Sequence, residues 1–285
     1  MNKYKISRYW WKHHAYKPVV FGMIGLHLLA ALAFLPQFFS WSGLVIFAFL
    51  YWVSGGLGIT LCYHRLLTHK SFKTHQWFKN ILTTFACLAE QGSPLVWVDT
   101  HRYHHKHSDE DLDPHSPVHG FFWAHMLWVL TKVPEDFNAT DRVKDLKREK
   151  AMLWFHRYWW LPQIVLMVLL FFAGLLFGGF NLAISWVVWG IALRTVAVFH
   201  ATWFVNSATH TWGSRNFSDT GDNSRNLWWV ALLSFGEGWH NNHHADQNSA
   251  SHGMRWYEFD ITYQTIKFLE LIGLAWDVKL PKVKL

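Results

Sequence analysis

Closely spaced histidines are the first chemistry-bearing feature of this 285-residue chain, which contains 20 of them. The stretch HRYHHKHSDEDLDPH begins at His101, and HNNHH at His240 repeats the spacing H-x-x-H-H. On an α-helix the positions i, i+3 and i+4 lie on one face. The imidazoles of each stretch can therefore converge on one metal ion or divide between two, since neutral imidazole is a common metal ligand.

Two further groups lie next to apolar segments. HRLLTH contains His64 and His69, which are spaced less well for one helical face, and NSATH contains Asn206 and His210 at i and i+4. A closed tetrahedral site uses four ligands, so nine histidines are enough for two ions. Nitrogen ligands alone leave iron, zinc, copper and nickel open. The nine candidate ligands are His64, His69, His101, His104, His105, His210, His240, His243 and His244.

Membrane helices must position these groups. No Asp, Glu, Lys or Arg occurs from Pro18 to Tyr63 or from Tyr158 to Leu193, and each stretch is about twice the ~20 residues that cross a bilayer. Each is broken once, at LPQFFSWSG and at FGGFN. The pattern predicts an all-α integral membrane protein of one domain, 1–285, with four transmembrane helices in two hairpins. The predicted spans are about 18–36, 42–62, 161–178 and 183–204, and a helical cap comprises 63–160 and 205–285.

The distribution of Lys and Arg predicts the orientation. Basic residues precede Pro18 and occur throughout the predicted cap, whereas both short turns have none. Both termini and the cap are therefore predicted to face the cytoplasm. An even number of spans separates the four histidine groups, so all can meet on one side. The net charge of +7 follows from this topology and indicates no nucleic-acid partner. Arg194 is predicted to face the bundle interior, and Cys62 and Cys87 to be small buried side chains.

Other side chains are assigned supporting roles. Of the acids near the histidines (Asp99, Asp109, Asp111, Asp113 and Glu237), we select Glu237 and Asp113 as acceptors of a ligand's second N–H, and we place His125 with them. Candidate substrate contacts are Trp97, Trp123, Trp128, Trp203 and Arg194, with ordinary core or interfacial packing as the alternative for the aromatics. Arg65, Lys70 and Lys73 are expected to bind a phosphate-bearing headgroup or coenzyme A, or to anchor the cap to anionic lipid. His27, His75, His156 and His252 are assigned to the core or interface.

GITLCYHRLLTHKSF, HRYHHKHSDEDLDPH, NSATHTWG and GEGWHNNHH resemble the membrane fatty acyl desaturases, in particular the delta-9 type that includes stearoyl-CoA desaturase and the cyanobacterial acyl-lipid enzymes. The resemblance runs from about Gly58 to the C-terminus. It implies a cytoplasmic cap with two Fe ions held by the nine histidines, and with Asn206 contacting one iron through water. It also implies that O2 is a co-substrate and that a cis double bond enters a saturated acyl chain of fatty acyl-CoA or a glycerolipid.

The sequence departs from the family pattern at HADQNSASHG and at His107, which leaves substrate access and partner docking open. It has no haem-binding His-Pro-Gly-Gly and no iron–sulfur cysteine pattern. We therefore expect a separate electron donor, either ferredoxin, cytochrome b5 or a rubredoxin-like protein. The expected location is among membrane lipids as a multi-pass protein, and we favour the bacterial cell membrane over endoplasmic reticulum or plastid. The alternatives are a related membrane di-iron hydroxylase or ketolase, and a metal transporter. Transport would require ionisable residues in several spans.

Overall fold

The computed structural model describes residues 15–131, 140–283 and 285. The basic tail on which the predicted orientation partly depends lies outside the described residues. The α-helices are α1 Lys17–Ala31, α2 Trp41–Tyr51, α3 Gln76–Cys87, α4 Pro94–His107, α5 Phe121–His125, α6 Lys144–Lys147, α7 Lys150–Tyr158, α8 Leu161–Val187, α9 Arg194–Ser207, α10 Trp228–Leu233, α11 His240–Ala245 and α12 Ile261–Leu271. Strands β1 Lys73–Thr74 and β2 Ala275–Trp276 form one antiparallel pair.

Tighter and wider helical turns join these elements. The 3₁₀ turns are Leu32–Phe34, Pro36–Phe38, Pro117–His119, Leu127–Leu130, Thr140–Val143 and Ala208–His210. Two π-helical segments, Trp52–Thr68 and Val188–Leu193, continue α2 and α8. Such wide turns are frequently found at functional sites.

Three apolar helical stretches in the described residues are long enough to cross a membrane: Lys17–Phe34, Trp41–Thr68 and Leu161–His210. The third has 50 residues, which as one straight helix would measure about 75 Å, roughly twice what a bilayer requires. It is broken at Gly178 and Gly179, where the φ of Gly179 is +76°. Glycine adopts this conformation without the steric penalty of a Cβ atom.

The two halves of that third stretch pack directly on each other. A Cβ atom added at Gly174 would lie 2.6 Å from the Cα of Ala183, so the backbones approach closely on either side of the break. The chain therefore reverses direction at Gly178–Gly179. This is the hairpin geometry that the sequence predicts for this part of the chain.

The helices that carry histidines are positioned by the long π-helical segment. A Cβ atom at Gly58 of that segment would lie 2.6 Å from the Cα of Ala86, so α3 packs closely against it. After α3 the chain turns, and α4 begins at Pro94 behind Ser93, whose Oγ accepts from the backbone N–H of Val96 at 3.3 Å. A capping serine followed by proline is a frequent start of a helix. The helix carries the first H-x-x-H-H stretch at its far end.

Two predictions about buried residues are confirmed. Arg194 is fully buried, donating to the carbonyl of Leu88 and, at 2.7 Å, to Oε1 of Gln163. Cys62 and Cys87 are free and buried. A buried guanidinium requires such acceptors because an unpaired buried charge is very unfavourable.

Candidate metal centre

The two H-x-x-H-H stretches are each carried on one helix, α4 and α11, and they interlock. His101 and His105 of α4 enter one group of imidazoles while His104 enters a second group. On α11 His240 and His244 enter the second group while His243 enters the first. Positions i and i+4 are about 40° apart around a helix and i+3 lies on the other side of i, so each helix faces both groups.

The nine candidate ligands therefore form two adjacent clusters. The five-histidine cluster consists of His64, His69, His101, His105 and His243. The four-histidine cluster consists of His104, His210, His240 and His244. Within each cluster one nitrogen of every ring lies within 4.8 Å of the others. All nine candidate ligands named from the sequence are in these clusters.

His64 and His69 meet because the helix that carries them is wide. The backbone N–H of His69 donates to the carbonyl of His64 at 3.1 Å, an i+5 contact of the π type. Their ring centroids lie 4.7 Å apart. A spacing of five, which is unfavourable on an α-helix, places both side chains at one site here.

The nitrogen separations in the clusters match those of ligands on a common ion. In the five-histidine cluster Nε2 of His243 lies 3.2 Å from Nε2 of His64 and 3.0 Å from Nε2 of His105. In the four-histidine cluster Nε2 of His240 lies 3.0 Å from Nε2 of both His210 and His244. Metal–nitrogen bonds of about 2.1 Å at right angles would separate two nitrogens by about 3.0 Å.

Carboxylates fix which ring nitrogens carry protons. Nδ1 of four ligand histidines contacts a carboxylate oxygen at 2.5–3.0 Å. A carboxylate only accepts, so Nδ1 is the donor, and in the neutral ring Nε2 presents a lone pair. The pairs are His64–Glu237, His104–Asp113, His210–Asp109 and His244–Asp222.

The donor set therefore fits a metal ion. Nε2 of His210 and of His244 both present lone pairs toward Nε2 of His240, which can donate to only one of them. In at least one of these two contacts, two nitrogen lone pairs would then face each other across 3.0 Å in a buried site, with no proton between them. A cation removes this conflict, and the carboxylate–histidine–metal arrangement is typical of protein metal sites.

Burial favours the neutral form of four of the clustered imidazoles, namely His105, His240, His243 and His244. It lowers the pKa of His105, His240 and His243 well below the ordinary value, and neighbouring imidazoles lower it further. Burial also lowers the pKa of His244 to about 4, although Asp222 acts in the opposite direction. Burial would raise the pKa of the Asp222 carboxyl, but the hydrogen bond from His244 outweighs it and the pKa is lowered. Neutral imidazole is the metal-binding form.

The two asparagines of HNNHH anchor α11. Oδ1 of Asn241 accepts from the backbone N–H of Asn216 and Phe217, each at 2.8 Å. Nδ2 of Asn242 donates to Glu258 at 2.7 Å and to the carbonyl of His252 at 2.8 Å. This six-residue helix has little surface with which to pack, so its orientation depends on these fully buried amides.

A mainly apolar cavity leads from the membrane helices to both clusters. Its wall includes Tyr51, Gly55, Ile59, Val198, Leu233 and Phe235, and its inner end includes His64, His101, His240, Asn206, Glu237 and Trp97. Gln91 joins two sides of the inner end. Its Oε1 accepts from Trp97 Nε1 at 3.1 Å, and its Nε2 donates to Thr202 at 2.8 Å.

Several expected substrate contacts lie elsewhere. Only Trp97 of the four selected tryptophans lines this cavity. Trp203 stacks on Phe199 at 5.1 Å, Trp128 packs against His115, and Trp123 packs against His119. Residue type alone did not distinguish cavity lining from packing.

The charged side chains expected near substrate do not line this cavity. Arg194 is enclosed by its acceptors and does not line the cavity. Arg65 is fully buried, paired with Asp260 at 2.9 Å and Glu237 at 3.3 Å, so it cannot bind a headgroup. Exposed Lys70 and Lys73 form ion pairs with Asp145 and Asp277.

Glu237 and Asp113 accept from ligand rings as expected, but His125 does not contact a ligand. Its Nδ1 lies 3.0 Å from Ser207 Oγ and its Nε2 lies 3.0 Å from His200 Nδ1. Asp109, which we named but did not select, and Asp222, which we did not consider, also accept from ligand rings. His252, assigned to the core, contacts Glu237 at 3.2 Å.

Comparison with known proteins gives consistent matches. The family described as fatty acid desaturase matches residues 37–267. The chain is 47% identical to sn-1 stearoyl-lipid 9-desaturase of Anabaena variabilis over 92% of this chain and 93% of that protein. It is 45% identical to sn-2 palmitoyl-lipid 9-desaturase of Nostoc sp. (strain 36), over 90% of this chain and 87% of that protein. It is 43% identical to a chloroplastic palmitoyl-monogalactosyldiacylglycerol delta-7 desaturase of Arabidopsis thaliana, over 95% and 72%.

Proposed function

The chain belongs to the fatty acid desaturase family, and from this premise we propose that it inserts a cis double bond into a lipid-bound saturated acyl chain at two histidine-ligated irons. Such a protein is an oxidoreductase that takes two electrons from a donor and uses O2. The observation that carries the proposal is the cavity that ends on both histidine clusters. An acyl chain in this cavity would place its methylenes beside the ligands.

The proposed ions use all nine histidines. The five-histidine and four-histidine clusters would each hold one iron, and Asn206, which lines the cavity, would contact one of them through water. When bound, iron supplies the activation of O2 and the removal of hydrogen from an unactivated methylene. Imidazole suits iron, and the family assignment favours it over zinc or copper.

The protein's own residues would position the acyl chain and exclude water from the cavity. The apolar wall excludes water and holds the chain in one register, so it determines which carbons lie near the irons. The amide of Gln91 ties Trp97 on α4 to Thr202 on α9, which holds the two sides of the inner end at a constant separation. Trp97 also stacks on the ligand His101, with ring centroids 5.0 Å apart.

The fold supports a four-span topology. Lys17–Phe34 and Trp41–Thr68 would be the first and second spans, and the third stretch would cross twice because it reverses at Gly178–Gly179. Both termini and the cap would then face the cytoplasm. We propose a bacterial cell membrane as the location, with relatives known from both cyanobacteria and chloroplasts.

Substrate and donor are proposed from the relatives' names and the sequence. Two relatives act at position 9 of stearoyl-lipid or palmitoyl-lipid, and a third acts at position 7. We therefore propose a glycerolipid acyl chain as substrate and position 9 as the site of the double bond. The electrons would come from a separate carrier such as ferredoxin.

The test is the fatty-acid profile of cells that express the protein with a ferredoxin system, with double-bond positions determined by mass spectrometry. The wild type and the His75→Ala control, which changes an exposed histidine outside both clusters, should give one new monounsaturated acid. His104→Ala should give none. A hydroxylated acid in place of the alkene would contradict desaturation and favour the hydroxylase alternative.

A further inference from the structure

Three histidines outside both metal clusters form a continuous chain of contacts. Nε2 of His27 on α1 lies 3.1 Å from Nε2 of His200 on α9. Nδ1 of His200 lies 3.0 Å from Nε2 of His125 on α5, and Nδ1 of His125 lies 3.0 Å from Oγ of Ser207. His125 and Ser207 are buried, while His27 and His200 are partly buried. Three separate helices therefore contribute one imidazole each to one line.

This arrangement does not suit a metal ion. His200 uses its two ring nitrogens, on opposite sides of the ring, for two different neighbours. The three rings are thus in series and do not direct three nitrogens at one point. A chain of alternating donors and acceptors is instead the geometry along which protons move.

Both ends of the chain are backbone carbonyls, which only accept. Nδ1 of His27 donates to the carbonyl of Met23 at 2.7 Å, and Oγ of Ser207 donates to the carbonyl of Trp203 at 2.8 Å. The series therefore has five contacts, each of which needs one proton. Three neutral imidazoles and one hydroxyl carry four.

One contact is therefore always without a proton while the chain is neutral. The unprotonated contact can lie between His27 and His200, between His200 and His125, or at Ser207, because each imidazole can carry its proton on either nitrogen. One additional proton would complete all five contacts. Burial lowers the pKa of His125, with a hydrogen bond to the Trp203 backbone acting in the opposite direction, so burial disfavours a proton that remains on this ring.

We propose that the line His27–His200–His125–Ser207 is a proton relay that serves the metal site. Its inner end is Ser207, and the adjacent Asn206 lines the acyl cavity with His240. The relay rests on the proposed function. Removal of two hydrogens from the acyl chain, with two electrons from the donor and reduction of O2 to two waters, breaks two C–H bonds and forms four O–H bonds. The reaction therefore takes up two protons from solution.

The outer end of the relay lies beside a second cavity of about 370 Å³, which includes Met23, Phe199 and Glu90 in its wall. Its volume is sufficient for several waters, each of which occupies about 30 Å³ in the liquid. Burial raises the pKa of Glu90 to about 7, with Arg194 acting in the opposite direction. A carboxyl that titrates near neutrality is suited to both accept and release protons at this end.

The first test compares His200→Gln and His125→Gln with His119→Gln in purified, iron-loaded protein. His119 is also buried, but its hydrogen bonds do not join the chain. We expect the two relay variants to form product about 100-fold more slowly, at the lower end of the range for proton-transfer groups. We also expect them to form less alkene per O2 consumed and to show a larger solvent deuterium isotope effect. The control should behave as the wild type in all three.

Wild-type coupling and an unchanged isotope effect in iron-replete relay variants would overturn the relay. Because a variant can fail to fold, ¹⁵N spectra of histidine-labelled wild type give a second readout that does not depend on activity. A mobile proton predicts intermediate shifts for both nitrogens of His200, and one fixed tautomer there would overturn the proposal. If the wild type makes no alkene, the proposed function fails, and the ¹⁵N spectra still decide the relay.

Discussion

The two histidine clusters differ in how their rings are held. In the four-histidine cluster Nδ1 of three of the four rings lies within 3.0 Å of a carboxylate oxygen, whereas in the five-histidine cluster this holds only for His64. Nδ1 of His105 and of His243 is buried without a hydrogen-bond partner, as is Nδ1 of His240 in the four-histidine cluster. The four-histidine cluster therefore has fewer imidazoles, most of which contact a carboxylate. The five-histidine cluster has more imidazoles, of which one contacts a carboxylate.

This difference implies different tasks for the two proposed ions. A carboxylate on the second nitrogen orients an imidazole, increases its basicity and adds negative charge near the ion. The four-histidine cluster should therefore hold its ion more tightly and in a more constant geometry. The five-histidine cluster depends on ligand number, so its ion should be the more readily lost and the more tolerant of one missing ring.

Removal of one ligand from each cluster should give the largest effects. His240→Ala leaves three rings and should lose about one iron per chain, whereas His105→Ala leaves four rings and should retain more of its iron. Both variants should lose activity by more than the 10–100-fold that is typical when a hydrogen-bond partner of a metal ligand is mutated, because here the ligand itself is removed. Iron analysis and alkene formation, with His75→Ala as control, measure both effects. Equal iron loss in the two variants would remove the distinction between the clusters.

The convergence of the nine candidate ligands could be predicted from the sequence, but their partition into two clusters could not. The parity of the predicted spans and the H-x-x-H-H spacing predict that the nine histidines can meet, and in the structure they do. The assignment of His104 to one cluster and of His101 and His105 to the other depends on how α4 crosses α11. The contact of His64 with His69 depends on a π-helical backbone, for which a spacing of five gives no recognisable hydrophobic period.

The carboxylates that contact the candidate ligands, and the residues that line the cavity, were harder to predict for a related reason. Asp222 lies in a loop that tertiary structure brings to His244, and nothing in its local sequence marks it. Trp203 and Trp128 are candidate substrate contacts by residue type, yet large aromatics pack equally well in the core, which is the stated alternative and is where these two lie. The break of the third apolar stretch was predictable, because two glycines interrupt an otherwise continuous apolar run.

Loss of one carboxylate should distinguish the clusters next most strongly. Asp222→Asn keeps an oxygen for His244 Nδ1–H but removes the charge, so iron affinity of the four-histidine cluster should fall by about 10–100-fold. Glu237→Gln removes the one carboxylate of the five-histidine cluster and also leaves Asp260 as the remaining carboxylate that pairs with buried Arg65, so it should additionally lower thermal stability. Iron titration and thermal unfolding separate the two. A Glu237→Gln protein with wild-type thermal stability would contradict the stabilising role of the ion pair between Glu237 and Arg65.

A chelator should remove the two ions at different rates. The ion of the five-histidine cluster has one charge-supported ligand and should leave first, by roughly the ten-fold lower bound of a single outer-partner effect. Its loss should already abolish alkene formation, because His64 and His101 line the cavity. Iron release and residual activity followed together would show two phases, with activity ending in the first. A single phase would indicate that the ions are held equally.

The smallest effects should come from His252 and His115, which lie outside both clusters but contact carboxylates that support them. His252 Nδ1 lies 3.2 Å from Glu237 Oε2, so His252→Gln should weaken the support of the five-histidine cluster by the value of one hydrogen bond, about 2–10-fold in activity. His115 Nδ1 lies 3.5 Å from Asp113 Oδ1, too far for a strong hydrogen bond, and Asp113 is already held by backbone N–H groups of Asp109 and His115. His115→Gln should therefore be nearly silent. Since the backbone contact survives that substitution, a larger loss for His115→Gln than for His252→Gln would show that the carboxylates of the four-histidine cluster depend on side-chain support more than their geometry indicates.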